Sequence, residues 1–261
     1  MNNELGGRKY EIRIIRDGAR KGAQNMGLDE AVLEGVIAGT SQPTIRLYGW
    51  EPATLSIGYF QSLKSEVDLE ACQRFGVDVL RRSTGGGAVF HQFEVTYSLV
   101  APVGFCGIPE GILPSYQCIC QGIICGLKRL GVESQFVPLN DIIASGKKVS
   151  GNAQTRRKGI ILQHGTILLR VDVDKMFTVL KVPSEKMRDK IVQDVKQRVT
   201  GISDVLGREV GFEETSEALA SGFVDALGCT LVPGAFTATE LALAEQLAQD
   251  KYASAKWNEK R

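Results

Sequence analysis

Histidine is nearly missing from this chain: His91 and His164 are the only two among 261 residues. Neither stands in an HExxH or similar ligand spacing, which excludes a zinc hydrolase of that kind. A GxSxG nucleophile elbow and a GxxxxGK[ST] phosphate loop are also lacking. No helix is expected after the glycines at 85–87, so they are no dinucleotide fingerprint. No run of about 18 apolar residues occurs, and no membrane partner is expected. Residues 1–9 are polar and lack the apolar stretch of an export signal, so a cytoplasmic protein is expected. A net charge of +1 excludes a nucleic-acid surface spread over the whole molecule, and no nucleic-acid partner is expected. The six cysteines (Cys72, Cys106, Cys118, Cys120, Cys125 and Cys229) form no CxxC pair and are read as reduced thiols. None lies between Cys125 and Cys229.

What is present is the composition of a globular protein, 43% apolar and 23% charged, read as one domain over residues 1–261. Alternation and turn residues predict strands at 9–16, 44–50, 53–60, 77–82, 88–92, 95–100, 141–144, 147–154 and 158–171. The strands at 44–50 and 53–60 are expected to pair through the turn at Glu51-Pro52. Helical spacing predicts helices at 23–37, 65–75, 114–130, 173–180, 212–227 and 237–252, with Ser65 capping the second and Gly76 stopping it. Cys118 and Cys125, seven apart, are expected on one core face of the third helix, with Cys120 at its side. Hairpins before and after a central helix imply α+β with mixed, largely antiparallel sheets packed with helices.

Three segments carry chemistry. Arg81-Arg82-Ser83-Thr84-Gly85-Gly86-Gly87-Ala88-Val89-Phe90-His91 joins two cations to a turn that can form an anion-binding nest, or simply a tight hairpin. Lys147 and Lys148 open the strand Lys147-Lys148-Val149-Ser150-Gly151-Asn152-Ala153, either as solvated charges or facing developing negative charge. His164 lies in an apolar strand before Gly165-Thr166, as a hydrogen-bonded structural histidine or a site residue.

Taken in order, with Asn25-Met26-Gly27-Leu28-Asp29, Asn140-Asp141 and Lys251-Tyr252-Ala253-Ser254, these segments resemble the lipoate–protein ligase A and octanoyltransferase family. That family is similar in fold to the biotin protein ligase catalytic domain. The resemblance implies an ATP-dependent ligase that activates lipoate as lipoyl-AMP and passes it to a lysine on an acceptor domain, an E2 subunit or an H protein. It implies that Lys148 is catalytic, touching acyl carbonyl and phosphate. Arg82, Gly85, Gly86, Gly87, Ala88, Val89, Phe90, His91, Ser150, Gly151 and His164 would surround nucleotide and acyl chain, with Val89 on an apolar tunnel. Asp141 would stand by the adenylate and a Mg²⁺ ion. The family's small C-terminal accessory domain is not found, so a separate accessory subunit is an expected partner.

The second reading is an octanoyltransferase, which needs no ATP. It passes octanoyl from a carrier-protein thioester to a cysteine and then to the acceptor lysine. Those enzymes carry their cysteine just before the motif lysine. Residues 136–146 hold none here and present Asn140-Asp141 instead, which favours the ligase. A third reading is a non-catalytic relative. Gln92 replaces the aspartate that usually follows the motif histidine, which removes a charge expected near the pocket.

Overall fold

The computed structural model describes residues 10–182 and 185–261. Its strands are β1 (Glu11–Arg20), β2 (Thr44–Trp50), β3 (Thr54–Ile57), β4 (Asp78–Arg81), β5 (Val89–His91), β6 (Glu94–Pro102), β7 (Ser134–Val137), β8 (Asp141–Ala144), β9 (Lys147–Arg157), β10 (Ile160–Leu168) and β11 (Thr230–Pro233). Its helices are α1 (Gly22–Ala38), α2 (Leu63–Glu66), α3 (Leu69–Arg74), α4 (Ile112–Arg129), α5 (Val173–Val179), α6 (Glu185–Arg198), α7 (Ile202–Leu206), α8 (Phe212–Leu227), α9 (Ala238–Leu247) and α10 (Ala255–Asn258). Eight strands form one sheet in the order β11-β1-β2-β6-β10-β9-β8-β7, and three form a second in the order β4-β3-β5. β1 runs parallel to β2 and β11, β3 runs parallel to β4, and the other pairs are antiparallel. The fold is the expected α+β with mixed sheets.

Alternation along the strands sorts the large sheet into two faces. On β6, Val95, Tyr97, Leu99 and Ala101 join Ile119, Ile123 and Leu127 of α4 and Leu219 and Phe223 of α8 in the main core. On the other face, Val100, Ile160 and Leu162 pack against Val32, Leu33 and Val36 of α1. Helix α1 is in turn covered by α9 through Leu28, Ala31 and Ala244. Apolar residues therefore surround α1 instead of forming one stripe, as a helix buried between layers requires.

The structure corrects several expectations. β2 does not pair with β3. All seven β2 residues are buried and both its edges are taken, by β1 and β6, so β3 turns away into the small sheet. The helix expected at 65–75 is two helices, interrupted where Val67 bridges Leu180. Asp68, and not Ser65, caps the second of them, accepting from the Ala71 amide at 2.9 Å. The last long helix ends at Leu247 and continues as a wider turn over Ala248–Tyr252. Cys118 and Cys125 are only half-buried at the flank of α4, whereas Cys120 is fully buried with Ile119 and Ile123. β7, α6, α7, β11 and α10 were not anticipated: all but α6 are four or five residues long, and charge dominates α6. Lys9, the expected start of the first strand, lies outside the described residues. Among the described residues no helix is long and apolar enough to cross a membrane.

Candidate active site

The glycine turn joins β4 to β5, and both arginines before it are buried. Arg81 is fully enclosed and donates to the carbonyls of Gly58, Tyr59, Gln61 and Asn258, which ties α10 to the loop after β3. Arg82 was expected to offer its fork to a phosphate. Instead all five of its N–H positions meet protein acceptors. Nη2 donates to Gly85 O at 2.7 Å and Gly87 O at 2.8 Å. Nη1 donates to Ser56 O and Oγ, and Nε to Thr84 Oγ1, each at 3.2 Å. A guanidinium has five donors in a fixed plane, so this one shapes the turn. Burial lowers its pKa to about 10, which leaves it charged at neutral pH. Gly86 sits at φ 96° against Gly58, where a Cβ would lie 2.0 Å from Gly86 O. Close approach demands glycine at 58, and backbone conformation demands it at 86. Among the described residues no hydrogen bond takes the amides of residues 85–87.

Lys148 is placed by a bulge. Ile142 pairs with Ser150 and Ile143 with Lys148, so Val149 is the extra residue on β9. A bulge re-aims the side chains beside it. The Lys148 carbonyl accepts from the Thr200 amide at 2.9 Å, which anchors the backbone. The Lys148 ammonium meets Asp141 Oδ1 at 2.7 Å, with the two side chains 37% and 35% exposed. An ion pair this open adds only about 0–1 kcal/mol of stability, so its value lies in fixing the amine. Asn140 and Asn152 latch β8 to β9. The Asn152 amide and Nδ2 donate to Asn140 O at 3.0 and 2.9 Å, and Asn140 Nδ2 donates back to Asn152 O. Tyr97 OH donates to Asn152 Oδ1 at 2.7 Å, which fixes the amide's orientation.

His164 links the turn to α1. Its Nε2 lies 2.7 Å from Thr84 Oγ1 and its Nδ1 3.5 Å from Asp29 Oδ2. A carboxylate only accepts, so Nδ1 carries the proton and Nε2 accepts from Thr84. Burial pushes the His164 pKa below its usual value, against the opposing pull of Asp29. Burial raises the Asp29 carboxyl, but the bonds from His164 and Ser98 and the charge of Arg46 outweigh it and leave Asp29 lowered. Arg46 Nη1 donates to Asp29 at 3.0 Å, Ser98 Oγ at 2.8 Å and Tyr48 OH at 2.9 Å.

These elements enclose a cavity of about 160 Å³ between the large sheet and the glycine turn. Of the residues singled out by sequence, Arg82, Gly86, Gly87, Ala88, Val89, His91, Lys148, Gly151 and His164 line it. Gly85 faces a neighbouring hollow with Tyr59, Phe60 and Trp257. Phe90 alternates away and packs into the small sheet's core. Ser150 is fully buried, 3.4 Å from Asn152 Nδ2. Asp141 reaches the cavity only through Lys148. Among the described residues no three His, Cys, Asp or Glu side chains converge on a point that could hold a metal ion, and Asp141 faces an ammonium. His91 is held from both sides, Nδ1 donating to Glu94 and Nε2 meeting Ser56 Oγ, each at 2.8 Å, while its ring stacks on Trp50 at 3.9 Å. Gln92 lies in a different hollow beside Phe93 and Glu94, so its missing charge does not touch the cavity. Sequence reading missed Met26, Tyr48, Trp50, Thr96 and Asn152 as lining and Asp29 as the partner of His164. Asp29 and Met26 stand inside a quoted motif, but nothing local gives a buried carboxylate its partner.

Residues 21–224 match the family model described as the lipoyl protein ligase A/B catalytic domain. Octanoyltransferase LipM of Kyrpidia tusciae is 41% identical, covering 94% of this chain and 97% of that protein. Octanoyltransferase LipM of Bacillus subtilis is 36% identical, covering 97% and 99%. Among solved structures, a bi-partite lipoate protein ligase from Thermoplasma acidophilum aligns with a TM-score of 0.87 at 31% identity, covering 95% and 96%. The relatives at 36–41% identity, named for octanoyl transfer, overturn the expectation of ATP-dependent lipoate ligation. The expected ATP, Mg²⁺ and lipoyl-AMP fall with it, because they served only the activation step. The missing cysteine before Lys147 is one local feature, whereas the identity to these relatives runs along 94–97% of the chain.

Proposed function

The chain belongs to the lipoyl protein ligase A/B catalytic-domain family, and on that premise we propose that it moves an octanoyl group from a carrier-protein thioester to the ε-amine of an acceptor-domain lysine. The acceptor is of the E2-subunit or H-protein type. The accessory subunit was expected for adenylation alone and has no place in this reaction.

The observation that carries the reading is the placement of Lys148, whose ammonium is fixed by Asp141 on the rim of a largely apolar cavity. Acyl transfer from a thioester gathers charge on one oxygen, and one fixed cation with nearby amides is what that oxygen requires. Lys148 supplies the cation and the turn at residues 86–87 supplies the amides across the same cavity. Met26, Trp50 and Val89 offer an apolar wall suited to a hydrocarbon chain. Arg82 supports a neutral donor over a phosphate, since its guanidinium has no donor left for an incoming anion.

The test is intact-mass analysis of an isolated acceptor domain. Incubation with octanoyl-carrier protein and no ATP is expected to add one octanoyl group. Modification that appears only with ATP and a free fatty acid or lipoate refutes the reading.

A further inference from the structure

Every thiol of this chain is accounted for, and none reaches the cavity. Cys120 lies in the main core beneath the sheet, its Sγ 3.8 Å from Gln163 Nε2. Gln163 and His164 are consecutive on β10 and point to opposite faces, so the sheet itself separates this thiol from the cavity. Cys229 belongs to the same core, the half-buried Cys106 and Cys118 pack against its edge, and Cys72 lies in the core of the small sheet. Cys125 sits on α4 and accepts from Gln121 of the same helix. Burial also raises the thiols of Cys118 and Cys229 and pushes Cys72 up to about 11 and Cys106 and Cys120 to about 12. A thiol in that state is a poor nucleophile at neutral pH. The position just before the motif lysine is filled by Asn140, latched to Asn152, and by Asp141, paired with Lys148.

Building on the octanoyl-transfer reading, we propose that this site passes the acyl group directly from carrier thioester to acceptor lysine in one ternary complex, with no acyl-enzyme. The free acceptor amine attacks the thioester carbonyl carbon and forms the C–N bond. The carbonyl oxygen takes the negative charge, facing the Lys148 ammonium and the turn amides. Collapse restores the carbonyl and breaks the C–S bond. The departing carrier sulfur takes the proton that the nitrogen loses, so the products are an amide and a free carrier thiol. Lys148 acts as a fixed cation throughout and forms no bond to carbon, a role for which its pairing with Asp141 suits it.

The experiment combines kinetics with trapping, on the full chain. Varying octanoyl-carrier protein at several fixed concentrations of acceptor domain is expected to give intersecting double-reciprocal lines. Parallel lines, the signature of a covalent intermediate, would overturn the proposal. Enzyme incubated with octanoyl-carrier protein alone and quenched in acid is expected to keep its unmodified mass. An octanoyl adduct on any cysteine overturns direct transfer while leaving the octanoyl-transfer reading intact. Native alkylation with N-ethylmaleimide and the variant Cys120→Ala, its folding checked by circular dichroism, are both expected to retain the full transfer rate. Loss of transfer in the folded, alkylated enzyme counts against the proposal. Modification that occurs only with ATP overturns reading and proposal together.

Discussion

The two faces of the large sheet come from the same strands, and around the cavity they differ in chemistry. Tyr97 and Leu99 of β6 face α4 and α8 in the main core, while Thr96 and Ser98, which alternate with them, face Trp50 and Asp29. On β10, Ile161 and Ile167 enter the core, while His164 and Thr166 line the cavity. The difference teaches how a buried site is made without giving up the fold. One face supplies the hydrophobic stabilisation. The other carries a polar network in which Arg46, Asp29, His164, Thr84 and Arg82 satisfy one another.

Substitutions on the two faces should therefore separate stability from chemistry. Phe223→Ala empties the core face and is expected to cost about 3–5 kcal/mol in denaturant unfolding, with the rate per folded molecule preserved. Lys148→Ala is expected to lower octanoyl transfer about 10²–10³-fold with an unchanged thermal midpoint, because the ion pair it breaks is half in solvent. An unchanged rate would remove Lys148 from the site.

The polar face should also carry a pH signature. His164 titrates below its usual 6.5 when folded, so the unfolded chain binds the proton first. Its contribution is fully present above pH 6.5 and is lost as pH falls below it, at up to about 1.4 kcal/mol per pH unit. Asp29, also lowered, works in the same direction: its contribution is present above 3.8 and lost as pH falls below it. Denaturant midpoints measured from about pH 8 down to about pH 5 should fall in the native chain and stay flatter in His164→Gln. A parallel decline in both proteins would exclude His164 as the source.

Gly151→Ala is a smaller displacement. A Cβ there would lie 2.8 Å from Lys148 Nζ, the far end of a long side chain, and would push it from its place beside Asp141. Stability should hold while the transfer rate drops about tenfold, since the amine moves and the fold does not. Smallest of all, Arg129→Ala removes the exposed bridge to Asp225 between α4 and α8 and is expected to shift unfolding by less than about 1 kcal/mol.

Much of the fold could be read along the chain, because alternation and turn residues act locally. β2, β8 and α8 fall on the expected residues. The pairing of β2 with β3 could not be read, because it depends on whether β2 still has a free edge, and β1 and β6 had taken both. The site divides in the same way. Lys148 and the glycine turn stand out as motifs. Phe90 was placed with them by proximity in sequence, yet the period of two along β5 turns it into the other core.

The sequence by itself determined the family, the mixed α+β architecture and which segments gather at the site, because ordered motifs and residue periodicity are properties of the chain. Only the tertiary structure decided what each charged or nucleophilic group could do there. It used all five Arg82 donors on the turn, turned Lys148 over Gly151 by a one-residue bulge, and put Cys120 behind the sheet. Donor saturation, side-chain aim and access to the cavity arise between segments distant in sequence, where no local pattern records them.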